Sequence, residues 1–234
     1  VSNEILSISL PVNNQILQKV LKPGAARNAL DCALWDLEAK KEGKPVWQLL
    51  NLKEPKPTIT AYTISLSNPA KMMQDAKSKS DYPILKIKLG GQDDEKCIKA
   101  VREGSPNSRI IVDANEGWNV ESYNYLVPIF KSIGVELIEQ PFPSNKDHLL
   151  KNLDRKIPIC ADESCHDVKS LEKLMGLYDY INIKLDKTGG LTEAINLLQA
   201  AKKSGFKIML GCMVGTSLAM TPPVATSQKP NKRS

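Results

Sequence analysis

The chain has 234 residues, of which 41% are hydrophobic and 25% are charged, and its formal net charge is +6. Such a composition is typical of a folded globular protein with a sizeable core. The basic residues are spread along the chain with few aromatic residues among them, which argues against a nucleic-acid partner. No apolar stretch approaches membrane-spanning length and no signal peptide opens the sequence, so we expect no membrane partner.

Cysteine and histidine usage excludes several kinds of site. The five cysteines are odd in number, and no two have the CxxC spacing of a zinc or redox site. We therefore expect reduced thiols and a cytoplasmic protein. His148 and His166 lie in polar, loop-like surroundings, which gives little support to a histidine-based triad or metal site.

The first fifty residues show no regular alternation of strands and helices. Residues 4–12 ("EILSISLPV") alternate like a strand, although nothing nearby offers an obvious partner. Residues 23–51 predict a long amphipathic helix, ended by Gly43 and Pro45, and then a short one. The apolar residues at helical spacing in the long helix are Ala29, Leu30, Ala33, Leu34, Leu37 and Ala39.

From residue 58 onwards, short apolar strand candidates alternate with helix-like segments. The strand candidates lie at 58–66, 84–90, 109–115, 135–141, 157–164, 180–186 and 207–215. Their spacing of about 20 to 27 residues is the length of a strand–helix unit, which predicts a parallel sheet covered by helices. Seven units in a row favour a closed barrel over an open doubly wound sheet, whose GxGxxG turn after the first strand is missing here.

Ionisable residues recur near the C-terminal ends of consecutive strand candidates. They are Lys86, Lys88, Asp113, Glu139, Asp162 and Lys184. In a βα barrel these strand ends surround the active site, so the six side chains are expected to converge on one cavity. Isolated charges there would be costly to bury. Three carboxylates on adjacent strands are hard oxygen ligands that suit Mg²⁺.

Each of these observations has a separate structural explanation. A KxK pattern on an alternating strand is usually a solvated face, and a carboxylate at a strand end often caps the next helix. A lysine near "KTGG" could bind a phosphate in a Gly-rich turn. These explanations would have to hold on five strands in order, which is less probable than one common cause.

The ordered motifs identify a family. The series KxK (86–88), "VDANEGW" (112–118), "EQP" (139–141), "ADES" (161–164) and "NIKLDKTGG" (182–190) resembles the enolase superfamily, more narrowly its muconate-lactonizing subgroup. Within that subgroup, "INIKLDKTGGLTEA" and "GCMVGTS" resemble the dipeptide epimerases of the L-Ala-D/L-Glu type. The helix at 26–50 also resembles the helix that precedes the barrel in this family, so the resemblance covers about residues 23–220.

The resemblance implies an α/β fold, an enolase-type (β/α)7β TIM-like barrel, with most of the N-terminal α+β capping domain and the last barrel strand missing. Residues 1–20 would be a remnant of the capping domain and residues 21–220 a partial barrel domain. Residues 221–234 would form an atypical, disordered tail, because Pro222 and Pro223 discourage a helix. Open edges at the first and seventh strands would favour association into a homo-oligomer.

The resemblance also implies an isomerase. It would be a Mg²⁺-dependent epimerase of dipeptides that moves a proton at the carbon α to a carboxylate (1,1-proton transfer) through an enediolate intermediate. The implied roles cover four groups of residues. The metal ligands would be Asp113, Glu139 and Asp162. The acid/base pair would be Lys88 and Lys184, with Lys86 beside Lys88.

The remaining implied contacts surround that centre. Thr63, Cys212 and Met213 would contact the small-molecule substrate, a dipeptide, while Asn115 and Glu163 would lie behind the metal ligands.

Other interpretations stay open. A related cycloisomerase or o-succinylbenzoate synthase would share the fold, and an Asp-x-Asp on an eighth strand, which would separate the epimerase from them, is not found. A non-catalytic fragment would keep the same residues without forming the site. A Schiff-base aldolase using Lys184 would leave the three carboxylates unexplained.

Overall fold

The computed structural model describes residues 2–6, 8 and 11–226. Its helices are α1 (Ser2–Leu6), α2 (Asn14–Val20), α3 (Ala25–Glu42), α4 (Val46–Leu49), α5 (Pro69–Ser78), α6 (Asp94–Gly104), α7 (Val120–Ser132), α8 (Leu171–Leu174), α9 (Leu185–Thr188), α10 (Leu191–Lys203) and α11 (Ser217–Thr226). The strands are β1 (Tyr62–Ile64), β2 (Ile84–Lys88), β3 (Arg109–Asp113), β4 (Val135–Glu139), β5 (Ile159–Ala161), β6 (Tyr180–Ile183) and β7 (Lys207–Leu210). Two 3-10 segments span Ser144–Asn152 and Val168–Ser170.

The strands form one sheet in chain order, from β1 to β7. The pairings from β1 through β6 are parallel. All seven strands lie within the segments that the sequence predicts, and helices alternate with them. The predicted α/β class with a parallel sheet is therefore confirmed.

Contacts divide the chain into two compact units. The first unit comprises Val1–Thr58, His166–Leu171 and Asn182–Ser234, and it contains α1 to α4, α9 to α11 and β7. The second comprises Ile59–Cys165 and Glu172–Ile181, and it contains β1 to β5 with α5 to α7. The domain boundaries expected from the sequence stay a prediction. None of the helices in the described part of the chain is both long and apolar enough to cross a bilayer.

In the second unit, β2 shows how the strand period sorts side chains. Leu85 and Ile87 are fully buried, whereas Lys86 and Lys88 are only partly buried. Successive side chains point to opposite faces of a strand, so the two lysines share the face that the sequence assigns to them. The fully buried apolar side chains of this unit include Met72, Ile98, Ile110, Val112, Phe130, Ile138 and Ile159.

In the first unit, α3 does not bury the face that the sequence predicts. Ala29, Ala33 and Leu37 are exposed, whereas Arg27 and Asp31 are buried. The long helix itself is confirmed. Its buried side, however, is formed largely by polar side chains with long-range hydrogen bonds, whereas Leu30, Leu34 and Ala39 are only half-buried.

Both ends of the described chain differ from the sequence-based expectation. Ser2–Leu6 is a short helix, although alternation predicts a strand over residues 4–12, of which residues 7, 9 and 10 lie outside the described residues. A helical turn satisfies its backbone hydrogen bonds locally, whereas a strand needs a partner.

Near the C-terminus, α11 runs through Pro222 and Pro223, contrary to the expectation that they would prevent a helix. The fixed φ of proline is compatible with a helix, and each proline removes one backbone donor. The Thr221 hydroxyl donates to the Ser217 carbonyl oxygen at 2.9 Å within this turn. The predicted tail beyond residue 226 lies outside the described residues.

Candidate active site

Three buried carboxylates meet at the C-terminal ends of neighbouring strands in the second unit. Asp113 ends β3, Glu139 ends β4 and Asp162 directly follows β5. Asp113 is in register with Glu139 and Glu139 with Cys160, so Asp162, two residues further on, shares the face of Cys160. One oxygen from each carboxylate lies within 4.8 Å of the others. The structure thus brings together the three residues that the sequence selects, while metal binding by them stays a prediction.

Two lysines of β2 neutralise part of this negative charge. Lys86 Nζ lies 2.8 Å from Asp113 Oδ2 and 2.7 Å from Glu139 Oε2. Lys88 Nζ donates to the same Asp113 oxygen at 2.7 Å. Burial lowers the pKa of Lys86, but the charges of Glu139 and Asp113 outweigh it, so this pKa is raised overall. Lys86 therefore stays a cation held between two carboxylates.

Glu139 is buried next to the other two carboxylates. Burial, followed by the charge of Asp113, raises the pKa of Glu139 to about 7, against the opposing effect of Lys86. A raised pKa means that the site disfavours the last negative charge. A further positive charge at the same point would relieve that cost.

Asn115 and Glu163 extend the network from Lys88. Lys88 Nζ donates to Asn115 Oδ1 at 2.7 Å, and Asn115 Nδ2 donates to Glu163 Oε1 at 3.2 Å. The Asn115 backbone N–H donates to Asp113 Oδ1 at 3.0 Å. Burial and the charge of Asp162 raise the pKa of Glu163. Both residues therefore lie beside the carboxylates, while a supporting role for them in metal binding stays a prediction.

The backbone is unusual within three residues of the two strand-ending carboxylates. Asn115, Glu116 and Gln140 have φ values of 44°, 65° and 38°, in the left-handed region that non-glycine residues seldom adopt. Such conformations persist only where surrounding contacts fix them, and they concentrate at functional sites. The Glu116 side chain is itself fixed, because the Ser144 backbone N–H donates to its Oε1.

Gln140 is a site residue that sequence reasoning missed, although it is the middle letter of "EQP". It is fully buried, and its Oε1 accepts from the backbone N–H groups of Asp162 (2.9 Å) and Ser164 (3.2 Å). Its Nε2 donates to the Phe142 carbonyl (2.9 Å) and to the Tyr178 hydroxyl (3.0 Å). Gln140 therefore fixes the backbone that carries Asp162.

Replacing Gln140 with leucine should destabilise the chain and loosen this part of the site. The change leaves the Asp162 and Ser164 backbone groups without their acceptor, so the free energy of unfolding should fall by about 3 kcal/mol. Urea denaturation followed by circular dichroism measures this. The matched control is Gln74→Leu at an exposed position of α5, which should change stability by less than about 0.5 kcal/mol. Equal effects for the two variants would contradict the role given to Gln140.

Asp94, also missed, organises the loop after β2. It is buried, and its carboxylate accepts from the backbone N–H groups of Gly90 and Gly91 at 2.9–3.0 Å. The same carboxylate accepts from Trp118 Nε1 at 2.8 Å. Trp118 lies in the loop after β3, so one carboxylate holds the loops that follow Lys88 and Asp113. An aspartate in the first turn of a helix is common, so the sequence alone does not indicate that Asp94 connects two loops.

Of the other predicted site residues, one lies in the second unit and three lie in the first. Thr63 on β1 is exposed and in register with Lys86. In the first unit, Lys184 immediately precedes α9, and Cys212 and Met213 are exposed after β7. Their roles stay predictions.

Gly211 fits closely against Lys184 within the first unit. A Cβ on Gly211 would lie 2.9 Å from Lys184 Cε and 2.5 Å from Asn182 Oδ1. Any side chain at this position would displace Lys184 or Asn182. Close packing against Lys184 and Asn182 therefore explains why glycine stands at the start of "GCMVGTS", which motif spacing alone does not reveal.

Two family models match the chain. One, described as enolase C-terminal domain-like, matches residues 69–232. The other, described as the mandelate racemase / muconate lactonizing enzyme N-terminal domain, matches residues 8–51.

Curated relatives carry isomerase names. The chain is 48% identical over 206 residues to an N-acetyl-D-glutamate racemase from Pseudoalteromonas sp, which covers 88% of this chain and 65% of the relative. It is 44% identical over 207 residues to the L-Ala-D/L-Glu epimerase of Escherichia coli strain K12, which covers 88% of this chain and 64% of the relative. The chain thus spans slightly less than two thirds of the length of these relatives.

Solved structures agree in fold. An enolase family member from Agrobacterium tumefaciens with homology to dipeptide epimerases, solved with sodium and L-Ala-L-Glu, superposes with a TM-score of 0.94 at 47% identity, over 97% of this chain and 71% of that one. A dipeptide epimerase from Cytophaga hutchinsonii, solved with Mg and D-Ala-L-Val, superposes with a TM-score of 0.84 at 29% identity, over 92% and 61%. Because the C-terminal family model alone matches most of the residues, the chain belongs to the enolase superfamily, among the proteins of the mandelate racemase and muconate lactonizing type.

Proposed function

We propose that this chain carries the catalytic residues of a Mg²⁺-dependent epimerase that inverts the carbon α to a carboxylate in a dipeptide. The observation that carries the proposal is the cluster of three buried carboxylates within 4.8 Å, with two lysine amines at 2.7–2.8 Å from Asp113. The names of the relatives point to the same reaction class.

The chemical nature of the ligand atoms in the cluster suits a divalent cation. Its donors are carboxylate oxygens, which Mg²⁺ prefers, and they come from Asp113, Glu139 and Asp162. All three carboxylates are buried, and burying carboxylates is costly unless a positive charge lies beside them, which a bound cation would provide. When bound, Mg²⁺ would supply the positive charge that stabilises a substrate carboxylate as its α-proton leaves.

Lys88 is well placed to exchange a proton at such a centre. Asp113 and Asn115 hold its amine at 2.7 Å each, which fixes the direction of the nitrogen. Its side chain keeps 32% exposure, so a substrate can reach the amine. A general acid or base must lie within hydrogen-bond reach of the reacting proton, and a fixed, accessible amine satisfies that need.

Lys184 is given the second proton-transfer role on the strength of its motif, "NIKLDKTGG". One lysine removes the α-proton, and the other returns a proton to the opposite face, which inverts the centre. Lys86 stays charged between Asp113 and Glu139, and in the proposed site it would add positive charge near the substrate carboxylate.

A second candidate is racemisation of an N-acylated amino acid. The relative named N-acetyl-D-glutamate racemase is slightly more similar to the chain, at 48% identity, than the L-Ala-D/L-Glu epimerase at 44%. The substrates in both names contain a glutamate whose nitrogen is acylated, by an acetyl group in N-acetylglutamate and by alanine in Ala-Glu. The substrates differ in the free ammonium group of the dipeptide.

Proton NMR in D₂O tests both candidates. The full chain is incubated with Mg²⁺ and, separately, L-Ala-L-Glu, L-Ala-D-Glu, the two N-acetylglutamates and N-acetyl-L-Ala-L-Glu. We expect the α-proton signal of glutamate to disappear with Mg²⁺ and to persist with EDTA. Exchange of the free dipeptides alone would support the dipeptide epimerase, whereas exchange of the N-acetylated compounds would support the racemase. No exchange of any compound would contradict the proposal for this chain.

A further inference from the structure

The buried polar face of α3 bears directly on Lys184, within the first unit. Arg27 is 5% exposed and Asp31 is fully buried, and the role proposed for the metal cluster uses neither. A buried charge is costly unless it is paired and hydrogen-bonded. Their partners therefore show what the two residues stabilise.

Arg27 holds the end of the helical turn that Lys184 begins. Arg27 Nη2 donates to the Thr188 carbonyl at 2.7 Å, and Nε donates to the Gly189 carbonyl at 3.0 Å. These carbonyls end α9, a helix of four residues flanked by Lys184 at its start. The last carbonyls of a helix have no partner inside it, and so short a helix is not stable alone. The planar guanidinium supplies two parallel donors at that end.

The Lys184 backbone is part of the same turn. Its carbonyl accepts from the backbone N–H groups of Lys187 and Thr188, both at 3.0 Å. Gly189, at φ 70°, closes the turn by donating to the Leu185 carbonyl at 2.7 Å. Any movement of the Thr188 end therefore changes the backbone that orients the Lys184 side chain.

Asp31 fixes the other side of the same loop. Its carboxylate accepts from the Thr192 backbone N–H at 2.8 Å and from the Thr192 hydroxyl at 2.6 Å. Asn14 and Gln18 of α2 donate to it as well, both at 2.9 Å. Asp31 thus ties the start of α10 to α2 and α3.

The loop is built for this close approach. A Cβ on Gly189 would lie 2.5 Å from Arg27 Nε, and one on Gly190 would lie 2.5 Å from Asp31 Cβ. Only glycines allow the backbone to reach both side chains. The "TGG" of the motif is thereby explained by the side chains of α3.

We infer that Arg27 is a positioning residue for Lys184, and that it controls the one proton transfer that Lys184 performs. The inference rests on the role proposed for Lys184. A positioning role predicts an effect on the proton transfer of Lys184 alone. A purely structural role for Arg27 predicts equal effects on the proton transfers of both lysines.

Arg27→Lys tests this, with Arg102→Lys as the matched control. Lysine keeps the charge but loses the two parallel donors. Arg102 also holds backbone carbonyls, at Ile133 (2.9 Å) and Ser108 (2.7 Å), in segments that precede β4 and β3 rather than follow a strand. The two substitutions are chemically identical, so their common effect on stability can be subtracted.

The first readout does not depend on activity. Amine acylation of the full chain, followed by mass spectrometry, gives the labelling rate of each lysine. In Arg27→Lys the labelling of Lys184 should rise about threefold or more, because the turn that holds it opens more often. The labelling of Lys88 should not change, and Arg102→Lys should leave both rates unchanged. An unaltered Lys184 rate would overturn the inference.

The second readout is α-proton exchange in D₂O, measured from each epimer separately. Lys184→Ala identifies the epimer whose proton Lys184 removes. In Arg27→Lys, exchange from that epimer should fall about tenfold or more through misplacement of the amine, and exchange from the other should fall far less. Equal losses from both epimers would mean a structural role only. If Lys184→Ala shows no preference for one epimer, the proposed function fails instead, and the labelling result still decides the positioning role.

A milder variant covers the case in which Arg27→Lys does not fold. Asn28 Nδ2 donates to Asp186 Oδ1 at 3.1 Å on the same turn. Asn28→Ala should raise Lys184 labelling in the same direction by a smaller factor. If Asn28→Ala folds and its Lys184 labelling is unchanged, contacts from α3 to this turn do not hold Lys184, and the inference is overturned.

Discussion

Replacing Lys88 with alanine should lower the Mg²⁺-dependent exchange of the substrate α-proton by about three orders of magnitude. The amine removed is held at 2.7 Å by both Asp113 and Asn115, and alanine leaves no group at that position that can accept or donate a proton. The fold should survive, because Lys86 still lies 2.8 Å from Asp113 and keeps that buried carboxylate paired. Exchange is measured by proton NMR in D₂O, and folding by circular dichroism.

Two variants complete that experiment. Lys88→Arg keeps the charge near Asp113, but a guanidinium does not give up a proton in this pH range, so exchange should remain as low as in Lys88→Ala. Lys99→Ala removes an exposed lysine paired with Glu95 on α6 and should leave exchange unchanged. Undiminished exchange in Lys88→Ala would reject the assignment of Lys88 as acid or base.

Asp162→Asn should weaken Mg²⁺ binding by at least about 10- to 100-fold, the loss usual for residues that merely support a ligand. Asparagine has the same shape but supplies no charge, and the Asp162 backbone stays bonded to Gln140. Isothermal titration calorimetry of the full chain measures the affinity.

The control for the metal site is Asp154→Asn. Asp154 is exposed, in the same unit as the cluster, and its carboxylate lies 3.5 Å from Lys156. Its replacement should not alter Mg²⁺ affinity. If Asp162→Asn binds the metal as tightly as the unchanged chain does, Asp162 is not a ligand.

The sequence predicted the sheet and its carboxylate cluster because both follow from local rules. Strand period two placed Lys86 and Lys88 on one face, and the position of Asp113 and Glu139 at strand ends placed them at one edge. Asp162 follows β5 for the same reason. All seven strands end before the bounds that the sequence predicts, and after β3 and β4 the backbone turns to positive φ at Asn115 and Gln140.

The helical part was predicted less well, for a physical reason. The helical period of α3 is visible in the sequence, but the buried side is decided by partners far along the chain. Arg27 and Asp31 are buried because they bind backbone groups near Gly189 and Thr192. Hydrophobic periodicity cannot find such a face, since it counts buried polar residues as exposed.

Gln140 and Asp94 escaped prediction for a related reason. Each acts through hydrogen bonds to backbone groups of other loops, which leave no trace in spacing or composition. Their importance is visible only once the loops are folded.

The carboxylate of Asp94 has a consequence for local motion. It is shared by the backbone amides of Gly90 and Gly91 and by the indole of Trp118, whose ring packs edge-on against Phe130 at 5.7 Å. Opening either loop breaks hydrogen bonds that the other needs, so the loops after β2 and β3 should open as one cooperative unit with a single free energy. The amide hydrogens of Gly90 and Gly91 and the indole hydrogen of Trp118 would then show similar protection factors in hydrogen exchange. The ends of the strands that carry Lys88 and Asp113 would become mobile together.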